Sequence, residues 1–141
     1  MDLKRNQMSK RLKAPEGCEF YGHGAITPDK RELWLASFDY RDGRGFYTRV
    51  DLARGEISAV GPKITPGIVH DCLFWDDRTF VLTSGGIRSS KIKESMDFKV
   101  VTKSSLMLVD WPSGTISKEI FLERPNEMIS HLSVDPLTKK L

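Results

Sequence analysis

From Phe20 onward, apolar and polar residues alternate in short runs, and each run closes on turn residues. A period of two over five to eight residues or so predicts half-buried strands. The first unit reads as Gly22 to Thr27, a turn at Pro28-Asp29-Lys30, and Glu32 to Phe38 with Leu33 and Leu35 on one face. Asp42-Gly43-Arg44-Gly45 reverses the chain into Phe46 to Leu52, and Ala53-Arg54-Gly55 turns it into Glu56 to Val60. A second unit follows the same plan: His70 to Phe74, Thr79 to Ser84, Ser105 to Asp110, a turn at Pro112-Ser113-Gly114, and Thr115 to Leu122. Each unit is therefore four antiparallel strands.

The two units are copies. His23, Asp29, Arg31, Leu35 and Ser37 superpose without a gap on His70, Asp76, Arg78, Leu82 and Ser84. A second echo follows each copy, Val50-Asp51-x-x-x-Gly55-x-Ile57 against Val109-Asp110-x-x-x-Gly114-x-Ile116, in the same order and with the same internal spacing. His131-Leu-Ser-Val-Asp135-Pro136 opens a third copy. The first two histidines stand 47 residues apart and the second and third 61, the excess being about the length of an inserted basic loop over residues 85–103. Four-stranded units repeating every 40 to 50 residues or so are the blades of β-propellers.

The expected fold is thus all-β: a partial propeller of two four-stranded antiparallel blades plus the first strand of a third. Residues 1–19 are expected as a flexible lead-in, residues 20–61 as one blade, residues 68–123 as the next, and residues 129–141 as a partial blade. Propellers close with about four to eight blades. Two blades leave their lateral faces open, so the expected partners are further copies of the chain or the remaining blades of a longer protein.

Composition narrows the function. A net charge of +3 with acids and bases nearly balanced gives no nucleic-acid footprint. No run of about 18 apolar residues predicts a membrane helix, and the basic start lacks the apolar segment of a secretory signal, so the chain as written is expected in the cytoplasm. Cys18 and Cys72 lack metal-knuckle spacing, and Cys72 lies within a strand pattern as a small buried hydrophobe. Trp34, Trp75 and Trp111 fall near strand ends, where they are expected to pack between blades.

All three histidines of the chain, His23, His70 and His131, occupy one repeat position, at the start of each blade's innermost strand. Consecutive blades would turn them to a shared space at the channel mouth, with Asp71 the one carboxylate placed to join them. Three imidazoles suffice for a transition metal. The opposing reading has each histidine bonded within its own blade, fixing strand to turn. The turn residues Asp29 and Asp76, with Arg31 and Arg78, have structural explanations, as acceptors of turn amides and as their ion-pair partners. No nucleophile elbow or phosphate loop accompanies the histidines, and no catalytic residue is assigned.

In these residues the chain resembles a bacterial propeller family, domain of unknown function 1513, placed in the quinoprotein amine dehydrogenase β-chain-like superfamily. Phe20-Tyr21-Gly22-His23-Gly24, Asp39-Tyr40 with Gly43-Arg44-Gly45, His70 with its following acid, Gly85-Gly86-Ile87, Ser105-Leu106 with Asp110, and Ile129 to Leu132 carry the resemblance, from about Phe20 to the end. It implies a longer parent with a complete ring, of which this is an internal segment, and export of full-length relatives to the periplasm. The chain departs from that pattern at Asp71, Ser84 and Ser130, where Glu, Asn and Arg are usual, and over residues 88–103. The resulting expectation is a non-enzymatic propeller module that binds a metal or partner at the channel mouth. The alternatives are a sugar-lactone hydrolase, which shares a histidine before a strand and a Thr-Pro-Asp-x-Arg turn, and a non-functional fragment of a longer relative.

Overall fold

The computed structural model describes residues 11–85, 87–92, 95–100, 103–124, 127–129, 131–135, 137–138 and 140–141. It is all-β, with no helix among the described residues. The first sheet runs in the order β1 (Cys18–Ile26), β2 (Glu32–Asp39), β3 (Arg44–Asp51) and β4 (Glu56–Val60), and the short β5 (Thr65–Pro66) adds one pair to β3. The second sheet holds β6 (Val69–Phe74) and β7 (Thr79–Ser84), then β10 (Ser105–Asp110) and β11 (Thr115–Phe121), in the spatial order β11-β10-β7-β6. Both are four-stranded antiparallel meanders, consistent with two blades of a partial propeller.

The repeat is written into the turns. Asp29 Oδ1 accepts from the Arg31 amide at 3.0 Å, and Asp76 Oδ1 accepts from the amides of Arg78 and Thr79 at 2.8 and 2.7 Å. Asp135 takes the amides of Leu137 and Thr138 and the Thr138 hydroxyl, so the third copy keeps its turn two residues nearer its histidine than the other copies do. At the second echo, Gly55 and Gly114 donate to the carbonyls of Asp51 and Asp110, each at 2.8 Å. Their φ angles are +63° and +76°, a region glycine enters without steric cost. One expected pairing is exchanged: the Arg78 guanidinium reaches Asp110 at 3.5 Å.

Three details differ from expectation. The first strand begins at Cys18, inside the expected lead-in, because Cys18 and Glu19 pair with Asp39 and Phe38. The inserted loop carries its own hairpin, β8 (Ile87–Ile92) with β9 (Ser95–Val100), in which six residue pairs in register supply a ladder independent of the sheets. The described residues of 127–135 form no strand, and a hydrogen bond from the Leu132 amide to Asp71 helps tie them to the second sheet.

The core lies between the sheets. Ladder pairing puts Trp34 and Ala36 of β2 and Tyr47 of β3 on one face, against Val69, Cys72, Phe80, Leu82, Met107 and Val109 of the second sheet. Trp34 is fully buried and sits edge-on to Phe80 at 4.9 Å. Its indole N–H donates to Glu32 at 3.0 Å, a partner that a buried indole needs. Trp111 packs partly buried against the same cluster, whereas Trp75 is 37% exposed. The outward faces are mixed: Val50 and Val81 are buried, while Ile26, Val60 and Ile120 are exposed. No helix among the described residues is long and apolar enough to cross a membrane.

Candidate functional site

The two strand-borne histidines sit where the ladders break register. In β1, Phe20 pairs with Ser37 and Gly24 with Leu35, so Tyr21, Gly22 and His23 lie opposite Ala36 alone. In β6, Val69 pairs with Ser84 and Cys72 with Leu82, so His70 and Asp71 lie opposite Thr83 alone. Extra residues in one strand bend it and re-aim its side chains. His23 is therefore within its strand, not at the start as the repeat alone suggests, and its bulge turns it toward His70.

Close approach of the two backbones does the rest. Gly22 has φ +91°, and a Cβ built on it would lie 2.0 Å from the His70 carbonyl oxygen, so a residue with a side chain would push β6 away from β1. Cys72, next to the bulge, points its thiol at the carbonyls of His23 and Trp34 at 3.5 and 3.8 Å. Burial pushes that thiol up to about 12, which keeps it a packed S–H group.

The three imidazoles converge. Ring centroids are 5.4 Å apart for His23 and His70, 5.3 Å for His23 and His131, and 5.2 Å for His70 and His131. Each pair is edge to face, and one nitrogen from each ring can be chosen so that all lie within 4.8 Å of one another. The side chains of His23 and His131 are 50% and 65% exposed, so the cluster opens to solvent on one side. Burial, followed by the two neighbouring imidazoles, holds His70 below the ordinary histidine range and favours its neutral form.

Asp71 lies beneath the rings, 7% exposed. Its Oδ1 accepts from the Cys72 amide at 2.8 Å and faces His23 Nδ1 at 3.8 Å; its Oδ2 accepts from the Leu132 amide at 2.7 Å and faces His131 Nδ1 at 4.0 Å. The Asp71 amide donates to Thr83 Oγ1 at 2.9 Å, and that hydroxyl in turn donates to the Asp71 carbonyl at 3.3 Å. The carboxylate so joins β6, β1 and the segment that carries His131. Sequence reasoning brought together all four residues but missed Tyr21, Gly22 and Thr83. Tyr21 places its ring edge-on to His70 at 6.1 Å, and the glycines flanking His23 were the available signal.

At the far ends of β1 and β6 a separate cleft of about 630 Å³ is lined by Ile26, Pro28, Phe74, Trp75, Asp76 and Asp77. It shares no residue with the histidine cluster.

No curated protein and no solved structure matches the chain. A family model does, over residues 1–138, which takes in the lead-in that the resemblance from Phe20 left out. The chain belongs to the family described as protein of unknown function, DUF1513.

Proposed function

We propose that the protein is a β-sheet module, built of propeller blades, that binds one divalent transition-metal ion through His23, His70 and His131. The observation that carries the reading is the convergence of three imidazoles from segments 47 and 61 residues apart in sequence. Neutral imidazole suits zinc, copper, iron and nickel, and three such ligands leave a fourth position for water or a second molecule. A tetrahedral ion with bonds of about 2.0–2.1 Å wants donor nitrogens roughly 3.3 Å apart. The nitrogens therefore close by up to about 1.5 Å on binding, a movement that two half-exposed side chains accommodate by rotation. Ligation requires the neutral rings, so affinity falls on acidification as protons compete for the same lone pairs.

The test is titration of metal-free protein with Zn²⁺ by calorimetry and with Co²⁺ by absorption spectroscopy. One ion per chain is expected, and His23→Ala, His70→Ala and His131→Ala should each weaken binding at least tenfold. Absence of stoichiometric binding by the folded protein overturns the reading. Lactone turnover by metal-free protein would instead favour the hydrolase.

A further inference from the structure

Each imidazole has two nitrogens, and the surroundings of the cluster distinguish them. Asp71 has two carboxylate oxygens, and each already accepts one backbone N–H, from Cys72 or from Leu132. A carboxylate offers about four lone-pair sites, so one remains on each oxygen. Those oxygens face one ring apiece, Oδ1 toward His23 Nδ1 at 3.8 Å and Oδ2 toward His131 Nδ1 at 4.0 Å. No carboxylate among the described residues pairs with His70 at this range, but its Nδ1 lies 3.1 Å from the Cβ position of Gly22, against the β1 backbone.

From this one-to-one facing we infer that all three histidines ligate through Nε2, and that Asp71 is a positioning residue that receives Nδ1–H from His23 and His131 without joining the metal. The inference rests on the metal-binding reading and departs from the expectation of Asp71 as a fourth ligand. A neutral ring with its proton on Nδ1 has its lone pair on Nε2, so a buried carboxylate on the Nδ1 side selects the tautomer that binds an ion on the open side. The contacts of 3.8 and 4.0 Å exceed hydrogen-bond length, so for Asp71 to receive these protons the ring movement on metal binding must shorten them. Asp71 thereby links the ion to the Leu132 amide, so the metal also fastens the segment bearing His131.

Long-range ¹H–¹⁵N correlation spectra of histidine-labelled protein read the tautomers directly. With Zn²⁺ bound, His23, His70 and His131 should show metal on Nε2, and His23 and His131 should carry protons on Nδ1. Ligation through Nδ1 of any of the three overturns the inference. In Asp71→Asn, one oxygen is replaced by an amide that donates, so one of the two rings should lose its preference and Zn²⁺ affinity should fall about 10- to 100-fold. An unchanged affinity and unchanged tautomers in that variant, with native far-UV circular dichroism, also overturn it. Where Asp71→Asn does not fold, the wild-type spectrum decides. If the wild type binds no metal, the functional reading fails by itself, and the metal-free tautomers at about pH 8, above the ordinary histidine range, still report on Asp71. Nδ1–H at His23 and His131 supports its positioning role, and Nε2–H at both removes it.

Discussion

Gly22 and the carbonyl of His70 meet so closely that a single added carbon at Gly22 would stand 2.0 Å from the oxygen. This contact sets the separation of β1 and β6, and through it the distance between the imidazoles of His23 and His70. Gly22→Ala should act twice. A side chain at φ +91° costs about 1–3 kcal/mol in backbone strain, and relief of the clash must separate β1 from β6. We expect a lower urea midpoint together with weaker metal binding. A variant with wild-type stability would show that the strands do not approach this closely in solution.

Trp34 tests the core by the same logic. Its ring stacks on Tyr47 at 4.6 Å, planes 1° apart, and Phe74 and Phe80 close its edges. Trp34→Ala empties the largest side chain of the interface between the sheets and should cost about 3–5 kcal/mol. Trp75→Ala, at a position 37% exposed, should cost far less. Chemical unfolding of both variants compares them, and equal losses would contradict a core centred on Trp34.

The features legible in the sequence are those fixed by chemistry a few residues long. Asp76 caps its turn because a carboxylate two residues before an amide can reach it, and Gly55 and Gly114 recur because the chain turns through positive φ there. The repeated histidines were equally plain. The bulges were not, since register belongs to a pair of strands, and nothing within Tyr21-Gly22-His23 states that all three face Ala36. The hairpin of β8 and β9 escaped although Met96, Phe98 and Val100 alternate with Ser95, Asp97 and Lys99, because its other strand, Ile87–Ile92, carries no such alternation. Asp71 was found by adjacency to His70, yet its role depends on the Leu132 amide, 61 residues away, and only the folded chain supplies that partner.

The last prediction concerns acid. Asp39 is 1% exposed, and its oxygens accept from the Arg41 amide at 2.9 Å and from the Arg41 guanidinium at 2.9 and 2.6 Å, with Lys63 at 3.0 Å. The Arg41 side chain, above all, holds this carboxyl well below the usual carboxylate range despite burial. The sign follows from proton counting. Between the folded value and about 3.9, the ordinary value for an unfolded aspartate, the unfolded chain binds more protons, so stability rises with pH there. The contribution is complete above about 4 and is lost as pH falls through the folded value. Arg41→Ala should therefore destabilise the protein at about pH 7, and its deficit against wild type should shrink as the pH falls below about 4. Arg41 is 63% exposed, so added salt should also narrow the gap. Urea unfolding at about pH 7, above that window, and at about pH 3, within it, each at low and high salt, measures both effects. A deficit independent of pH would mean that Arg41 acts by packing and not by its charge on Asp39.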